Sequence, residues 1–134
     1  MCSSDLITSE VLQAIISHRA GGEPFSLEAG VVRVADALDM AQGRSRIPFE
    51  KGRVSMHSLS AAAVDDVIIG DGDGVDGKPI KIDILMNNSS GLYQVDGLLK
   101  AKLKGSGLEP YVEVVAHIDT DAEKRLVPIY RLEL

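Results

Sequence analysis

The strongest constraint on the fold is a strict alternation of apolar and polar residues in the second half of the chain. Isoleucine or methionine fills the even positions from Ile80 to Met86, with Lys81, Asp83 and Leu85 between them. This period of two is typical of a strand with one buried face. Residues 111–118 alternate in the same way. Between the two runs, an apolar stripe recurs at helical spacing, formed by Leu92, Val95, Leu99 and Leu103. The pattern therefore predicts two strands joined by a helix.

Two more strands and two more helices complete the predicted elements. Residues 64–69 and 126–134 favour strands, and Pro128 places the last one toward a sheet edge. The second half is therefore predicted to form a ββαββ antiparallel sheet with one covering helix. Upstream, helices are predicted over 9–19 and 27–42, the second capped by Ser26. Gly30 inside that helix indicates close packing. The predicted fold class is α+β.

Composition changes along the chain and predicts its division. An irregular, basic stretch separates the two helices from the sheet, so we expect a helical unit over 7–45, a linker over 46–56 and a small α+β domain over 57–134. The first six residues, 1–6, resemble the translation of a sequencing-adapter end. We expect them to be a non-native leader, and the natural sequence to continue upstream.

Charge and composition exclude several classes of partner. The 134 residues carry a net charge of −6 and 4% aromatic residues, without tryptophan. An acidic chain of this kind is not expected to bind nucleic acid or an anionic membrane. No apolar run approaches the ~20 residues of a membrane span. Cys2 is the only cysteine, which predicts a reducing, cytoplasmic location.

The helix predicted over 27–42 carries acids on an otherwise apolar pattern. Val34 and Leu38 recur at helical spacing and need burial, whereas Asp36 and Asp39 lie one turn apart on the same side. A carboxylate at the margin of a buried stripe must be solvated, paired or bound to a metal. A surface acid paired with Arg33, one turn earlier, is the simpler interpretation of Asp36.

The string Val34-Ala35-Asp36-Ala37-Leu38-Asp39, preceded by Ala14-Ile15-Ile16-Ser17-His18-Arg19, resembles the C-terminal end of HD-domain metal-dependent phosphohydrolases. The resemblance covers residues 9–45 and implies that both helices come from the end of an all-α HD domain. It makes Asp36 the closing metal ligand and His18 a second ligand, with Arg33 and Asp39 in supporting positions. His18 could instead cap the carbonyl groups of the first helix. The family's upstream histidine and its His-Asp pair are absent from the chain, so we expect this fragment to be inactive alone.

The resemblance implies hydrolysis of a phosphate ester or nucleotide by a longer parent protein. Its cofactor would be a divalent ion such as Mn, Mg or Fe, which the fragment alone is not expected to retain, and its substrate a phosphorylated small molecule. Arg44 and Arg46 could hold the substrate phosphate, because guanidinium groups bind phosphate through paired hydrogen bonds. A solvated linker explains them equally well.

The predicted α+β domain shows no catalytic constellation, and His117 falls on the outward side of its strand. A competing hypothesis is therefore that residues 57–134 form a non-catalytic module for dimerisation or ligand sensing. An open sheet face or edge suits assembly, and a homo-oligomer is compatible with either hypothesis.

Overall fold

The computed structural model describes residues 3–19, 21–41, 60–72, 77–119 and 129–133 and confirms the α+β class. Two helices come first, followed by four strands with a helical segment in their middle. The helices and strands are α1 (Ser3–Ser17), α2 (Leu27–Leu38), β1 (Val64–Asp71), β2 (Ile80–Met86), β3 (Val112–Ile118) and β4 (Ile129–Arg131).

The four strands form one sheet in the order β1-β2-β3-β4. The outer pairs, β1 with β2 and β3 with β4, are antiparallel, as predicted. The central pair is parallel, with Ile80 opposite Val112 and Met86 opposite Ile118. The sheet is therefore mixed rather than wholly antiparallel. The helical connection between β2 and β3 returns the chain to the end of the sheet at which β2 begins. Strand β3 therefore runs in the same direction as β2.

That connection is built from three helical geometries. Asn88 caps a 3₁₀ turn, Ser89–Gly91, by accepting a hydrogen bond from the backbone N–H of Ser90. A π-helical segment, Gln94–Leu99, then continues into an α-helical turn, Lys100–Leu103. We call residues 94–103 the crossover helix. Its apolar residues Val95, Leu99 and Leu103 are fully buried, as predicted, and they recur every four residues. A turn wider than 3.6 residues keeps that spacing on one face.

The hydrophobic core lies between the crossover helix and one face of the sheet. On β2 and β3 the inward side chains are Ile82, Ile84, Met86, Val112, Val114, Ala116 and Ile118. Val34 and Met40, from α2 and the residues after it, join the same core. The opposite side of the sheet, which we call the open face, carries the alternate residues of each strand.

The N-terminal helices differ from their predicted bounds. Helix α1 begins at Ser3 rather than Ser9, and the hydroxyl of Thr8 donates a hydrogen bond to the carbonyl of Ser4 within the helix at 2.8 Å. Ser26 caps α2 as predicted, since its hydroxyl accepts a hydrogen bond from the backbone N–H of Ala29 at 3.2 Å. Helix α2 ends at Leu38, earlier than predicted.

Gly30 on α2 makes the close approach that its place in the helix suggested. A Cβ there would lie 2.0 Å from the carbonyl oxygen of Ser106. The predicted linker over 46–56 lies outside the described residues, so the predicted division of the chain stays a prediction. Among the described helices, none combines the length and hydropathy needed to cross a membrane.

Candidate functional site: the open face of the sheet

Asp36 lies at the surface, on the side of α2 that meets the crossover helix. Its carboxylate accepts a hydrogen bond from the ammonium group of Lys102 and forms an ion pair with it. The cation that the structure places against Asp36 therefore comes from a residue 66 positions later in the chain. This contact ties α2 to the crossover helix.

Arg33, expected to support a metal ligand, is buried between helices. Its guanidinium group donates hydrogen bonds to the carbonyl oxygens of Ala101 (3.1 Å), Lys102 (3.0 Å), Ser17 (3.4 Å) and Gly22. Three of these carbonyls lie in the last turns of α1 and of the crossover helix, where backbone acceptors lack helical partners. Arg33 thus satisfies two helix ends at once.

The other residues of the expected metal site lie apart from any ligand cluster. The Nδ1 atom of His18 is 2.5 Å from the carbonyl oxygen of Ile15, at the end of α1. Asp39 is the exposed residue that follows the last turn of α2. Over the described residues, no three His, Cys, Asp or Glu side chains are grouped so as to hold a metal ion. The described side chains around Asp36 thus do not fit a divalent metal centre. Arg44 and Arg46 lie outside the described residues.

A cavity of about 690 Å³ lies on the open face, across β1, β2 and β3. Ligand sites are typically concave spaces of roughly 300–1,000 Å³ with apolar walls and a few convergent polar groups. Ile68 and Leu85 provide apolar side chains here. The polar side chains are Asp65, Lys81, Asp83, His117 and Asp119.

Strand register brings the central polar pair together. Leu85 on β2 lies beside His117 on β3, which places Asp83 diagonally opposite the imidazole ring. The Nε2 atom of His117 is 2.7 Å from Oδ1 of Asp83, and the ammonium nitrogen of Lys81 is 3.5 Å from the same oxygen. The Asp83 carboxylate therefore holds both neighbouring polar side chains in place on the open face.

The two other carboxylates lie where the parallel strands end. Asp119 directly follows β3, and its backbone N–H donates to the carbonyl of Met86 at 2.8 Å. Asp65 sits at an irregularity in β1, where the register with β2 shifts. Such bulges turn a side chain to a new direction. Its carboxylate accepts a hydrogen bond of 2.8 Å from the side-chain amide of Asn87, the residue after β2.

The arrangement favours a ligand that carries positive charge. Three carboxylates, one ammonium group and one imidazole line the cavity, so acid groups outnumber the permanent cation. The cavity also reaches the carboxyl ends of two parallel strands. In open sheets with a helical crossover, ligands bind outside these ends.

Sequence reasoning missed this cavity, although it placed His117 correctly on the outward side of its strand. The alternation Lys81, Asp83, Leu85 also marked the outward side of β2. What the sequence did not reveal was the parallel pairing of β2 with β3, which puts the two outward rows side by side. Nor did any local pattern indicate that Asp65 occupies a bulge.

The comparisons with known proteins provide one relative. An uncharacterised protein of Methanocaldococcus jannaschii is 44% identical over 115 residues, which make up 86% of this chain and 43% of the relative's length. The chain thus spans less than half of that protein. No family model matches the chain. No solved structure matches it either.

The resemblance to HD-domain phosphohydrolases is wrong. No HD-family model matches, and the described part of the chain is a sheet-rich α+β fold rather than the end of an all-α domain. The strings that suggested it contain small apolar residues with acids at the helix margin. Any amphipathic helix that pairs its acids with a neighbouring element satisfies such a pattern, as Asp36 does with Lys102.

Proposed function

We propose that the chain is a non-catalytic ligand-binding module whose open-face cavity takes a small organic cation with a short apolar body. The observation that carries this proposal is the cavity itself, where Asp65 and Asp119 flank the carboxyl ends of β2 and β3 beside apolar walls. A primary ammonium or guanidinium group would lie between these carboxylates. Its alkyl part would contact Ile68 and Leu85.

Charge supports a cation over an anion. The whole chain carries a net charge of −6, and a field of that sign raises the local concentration of cations. Lys81 lies at the far end of the cavity, where Asp83 pairs with it at 3.5 Å. The end formed by Asp65 and Asp119 is therefore the more negative one.

Calorimetric titration with three short-chain compounds of different charge tests the proposal. Butylguanidinium should bind saturably, whereas butanol and butyrate should bind far more weakly or not at all. The double variant Asp65→Asn/Asp119→Asn should lower the affinity for butylguanidinium about tenfold or more, because a hydrogen bond to a charged partner contributes roughly 1.5–3 kcal/mol. Added salt should weaken the wild-type interaction.

The matched control is Asp96→Asn, which removes one carboxylate from the exposed side of the crossover helix. It should leave the affinity for butylguanidinium within about twofold of wild type, because long-range charge is screened by salt. Equal affinity for butyrate and butylguanidinium would contradict the proposal. So would an undiminished affinity in the double variant.

Two predictions from the sequence, phosphohydrolysis and a cytoplasmic location, remain untested. Metal-dependent phosphohydrolysis by a longer protein was implied only by the resemblance now corrected, and we do not propose it for the described residues. We also propose a cytoplasmic location, as predicted from the single cysteine, because thiols stay reduced in that compartment.

A further inference from the structure

Helix α1 turns its apolar side away from the rest of the molecule. Its large aliphatic side chains on that side are 52–75% exposed: Ile7, Val11, Leu12, Ile15 and Ile16. The side toward α2 is polar instead. Ser17 is buried there, and the Gln13 amide donates to the carbonyl of Glu23 at 3.2 Å. A surface helix normally packs its apolar side against the core and exposes its polar side to solvent. Helix α1 does the reverse.

Exposed apolar side chains continue on α2 and just before it. Phe25 is 87% exposed, and Leu27, Val31 and Val32 are 44–54% exposed. With about 100 Å² for each such side chain, these nine residues offer roughly 900 Å² of apolar surface. A typical stable interface buries about 800 Å² on each partner, and a monomer rarely leaves so much apolar surface uncovered.

The outward side of α1 is also nearly free of charge. At helical spacing, Ile7, Val11 and Ile15 lie on one face, and the polar residues between them, Ser4 and Thr8, are neutral. The one acid on this side of the helix, Asp5, lies at its margin beside Leu12 and Ile16. Depletion of charge is typical of the core of a protein interface. A neutral surface also allows two copies of an acidic chain to meet without like charges facing each other.

We propose that the apolar side of α1, extended by the exposed residues of α2, is a homodimer interface that binds the same surface of a second copy of this chain. A twofold arrangement pairs each patch with itself, which is the commonest geometry of protein dimers. The dimer would bury the aliphatic side chains that the single chain exposes. It would leave the open-face cavity accessible, because that cavity is lined by residues of β1, β2 and β3 and the residue after β3.

Light scattering coupled to size-exclusion chromatography tests the interface on the whole chain. At about 100 μM the mass should be twice the 14.3 kDa of one chain, and dilution should lower it. The double variant Val11→Glu/Ile15→Glu should run at the mass of one chain, with its far-ultraviolet circular dichroism unchanged, because both side chains are already exposed. The dissociation constant should rise at least 100-fold.

The matched control is Ile69→Glu, which places a charge at a similarly exposed isoleucine on β1. This variant should remain a dimer. A wild-type mass of one chain at every concentration would overturn the proposal and would mean that the surface stays bare or packs against a different polypeptide. A dimer that survives both glutamates on α1 would overturn it equally.

Discussion

Arg33 holds three segments of the chain together through backbone hydrogen bonds. Its guanidinium group reaches carbonyl oxygens from α1, from the loop after α1 and from the crossover helix. Only a planar group with several donors satisfies acceptors in such different directions. The sequence placed Arg33 one turn before Asp36 but contained nothing about these carbonyls, which lie 11 to 69 positions away in the chain.

Replacing Arg33 should therefore destabilise the fold more than its loss of charge suggests. We expect Arg33→Met to lower the free energy of unfolding by about 2–4 kcal/mol, because it leaves buried carbonyl groups without donors. Arg33→Lys should recover part of that loss. Urea denaturation followed by circular dichroism measures both changes.

Arg131 provides the comparison for Arg33. Its side chain is largely exposed, and its Nε atom lies 3.8 Å from the carboxylate of Glu113. Exposed pairs of this kind contribute little, so Arg131→Met should change the unfolding free energy by less than about 1 kcal/mol. Similar losses at Arg33 and Arg131 would refute the role assigned to Arg33.

At the scale of elements, sequence patterns correctly predicted the features that depend on residues close together in the chain. The strand Ile80–Met86, the cap at Ser26 and the buried stripe of Val95, Leu99 and Leu103 all agree with the structure. Each depends on side-chain periodicity or on a neighbouring backbone group. The parallel pairing of β2 with β3 and the outward turn of α1 depend on contacts between distant segments, so periodicity alone could not predict them.

Attachment of the edge strand β4 is another contact that the sequence did not reveal. The hydroxyl of Tyr130 donates to the carboxylate of Asp96 on the crossover helix at 3.2 Å. Burial, reinforced by the negative charge of Asp96, raises the pKa of the Tyr130 phenol. The neutral phenol is therefore the form that the folded chain favours. Any stability it contributes is present below about pH 10 and is lost as the pH rises further.

The packing of α2 onto the loop after the crossover helix depends on Gly30. A methyl group there would overlap the carbonyl oxygen of Ser106 at 2.0 Å. Gly30→Ala should lower the free energy of unfolding by about 1–3 kcal/mol, although alanine alone would favour the helix by ~1 kcal/mol. Thermal or urea denaturation measures the difference.

Gly97 on the crossover helix is the matched control. A Cβ at Gly97 would meet the ring of Tyr93 at 3.7 Å, an ordinary contact. Gly97→Ala should therefore be neutral or slightly stabilising. If alanine is tolerated equally at both glycines, α2 does not pack against Ser106 as described.

At the scale of the whole molecule, the crossover helix and α2 cover one face of the sheet, and the other face stays open. The covered face takes the continuous hydrophobic core, which leaves the polar residues of β2 and β3 on the open face. The acidic cavity lies at the carboxyl ends of the parallel strands, and the exposed apolar surface lies on the N-terminal helices. Two different parts of the molecule are therefore available for the two proposed roles. The ligand binding that we propose belongs to the sheet, and the assembly that we propose belongs to the N-terminal helices.

Backbone chemical-shift mapping during titration with butylguanidinium tests the ligand-binding claim most directly. The cation should produce saturable shifts that cluster at Leu85, His117 and Asp119, and butyrate at the same concentration should not. Shifts that cluster instead on α1 and α2, or no saturable shifts at all, would contradict a cation site on the open face of the sheet.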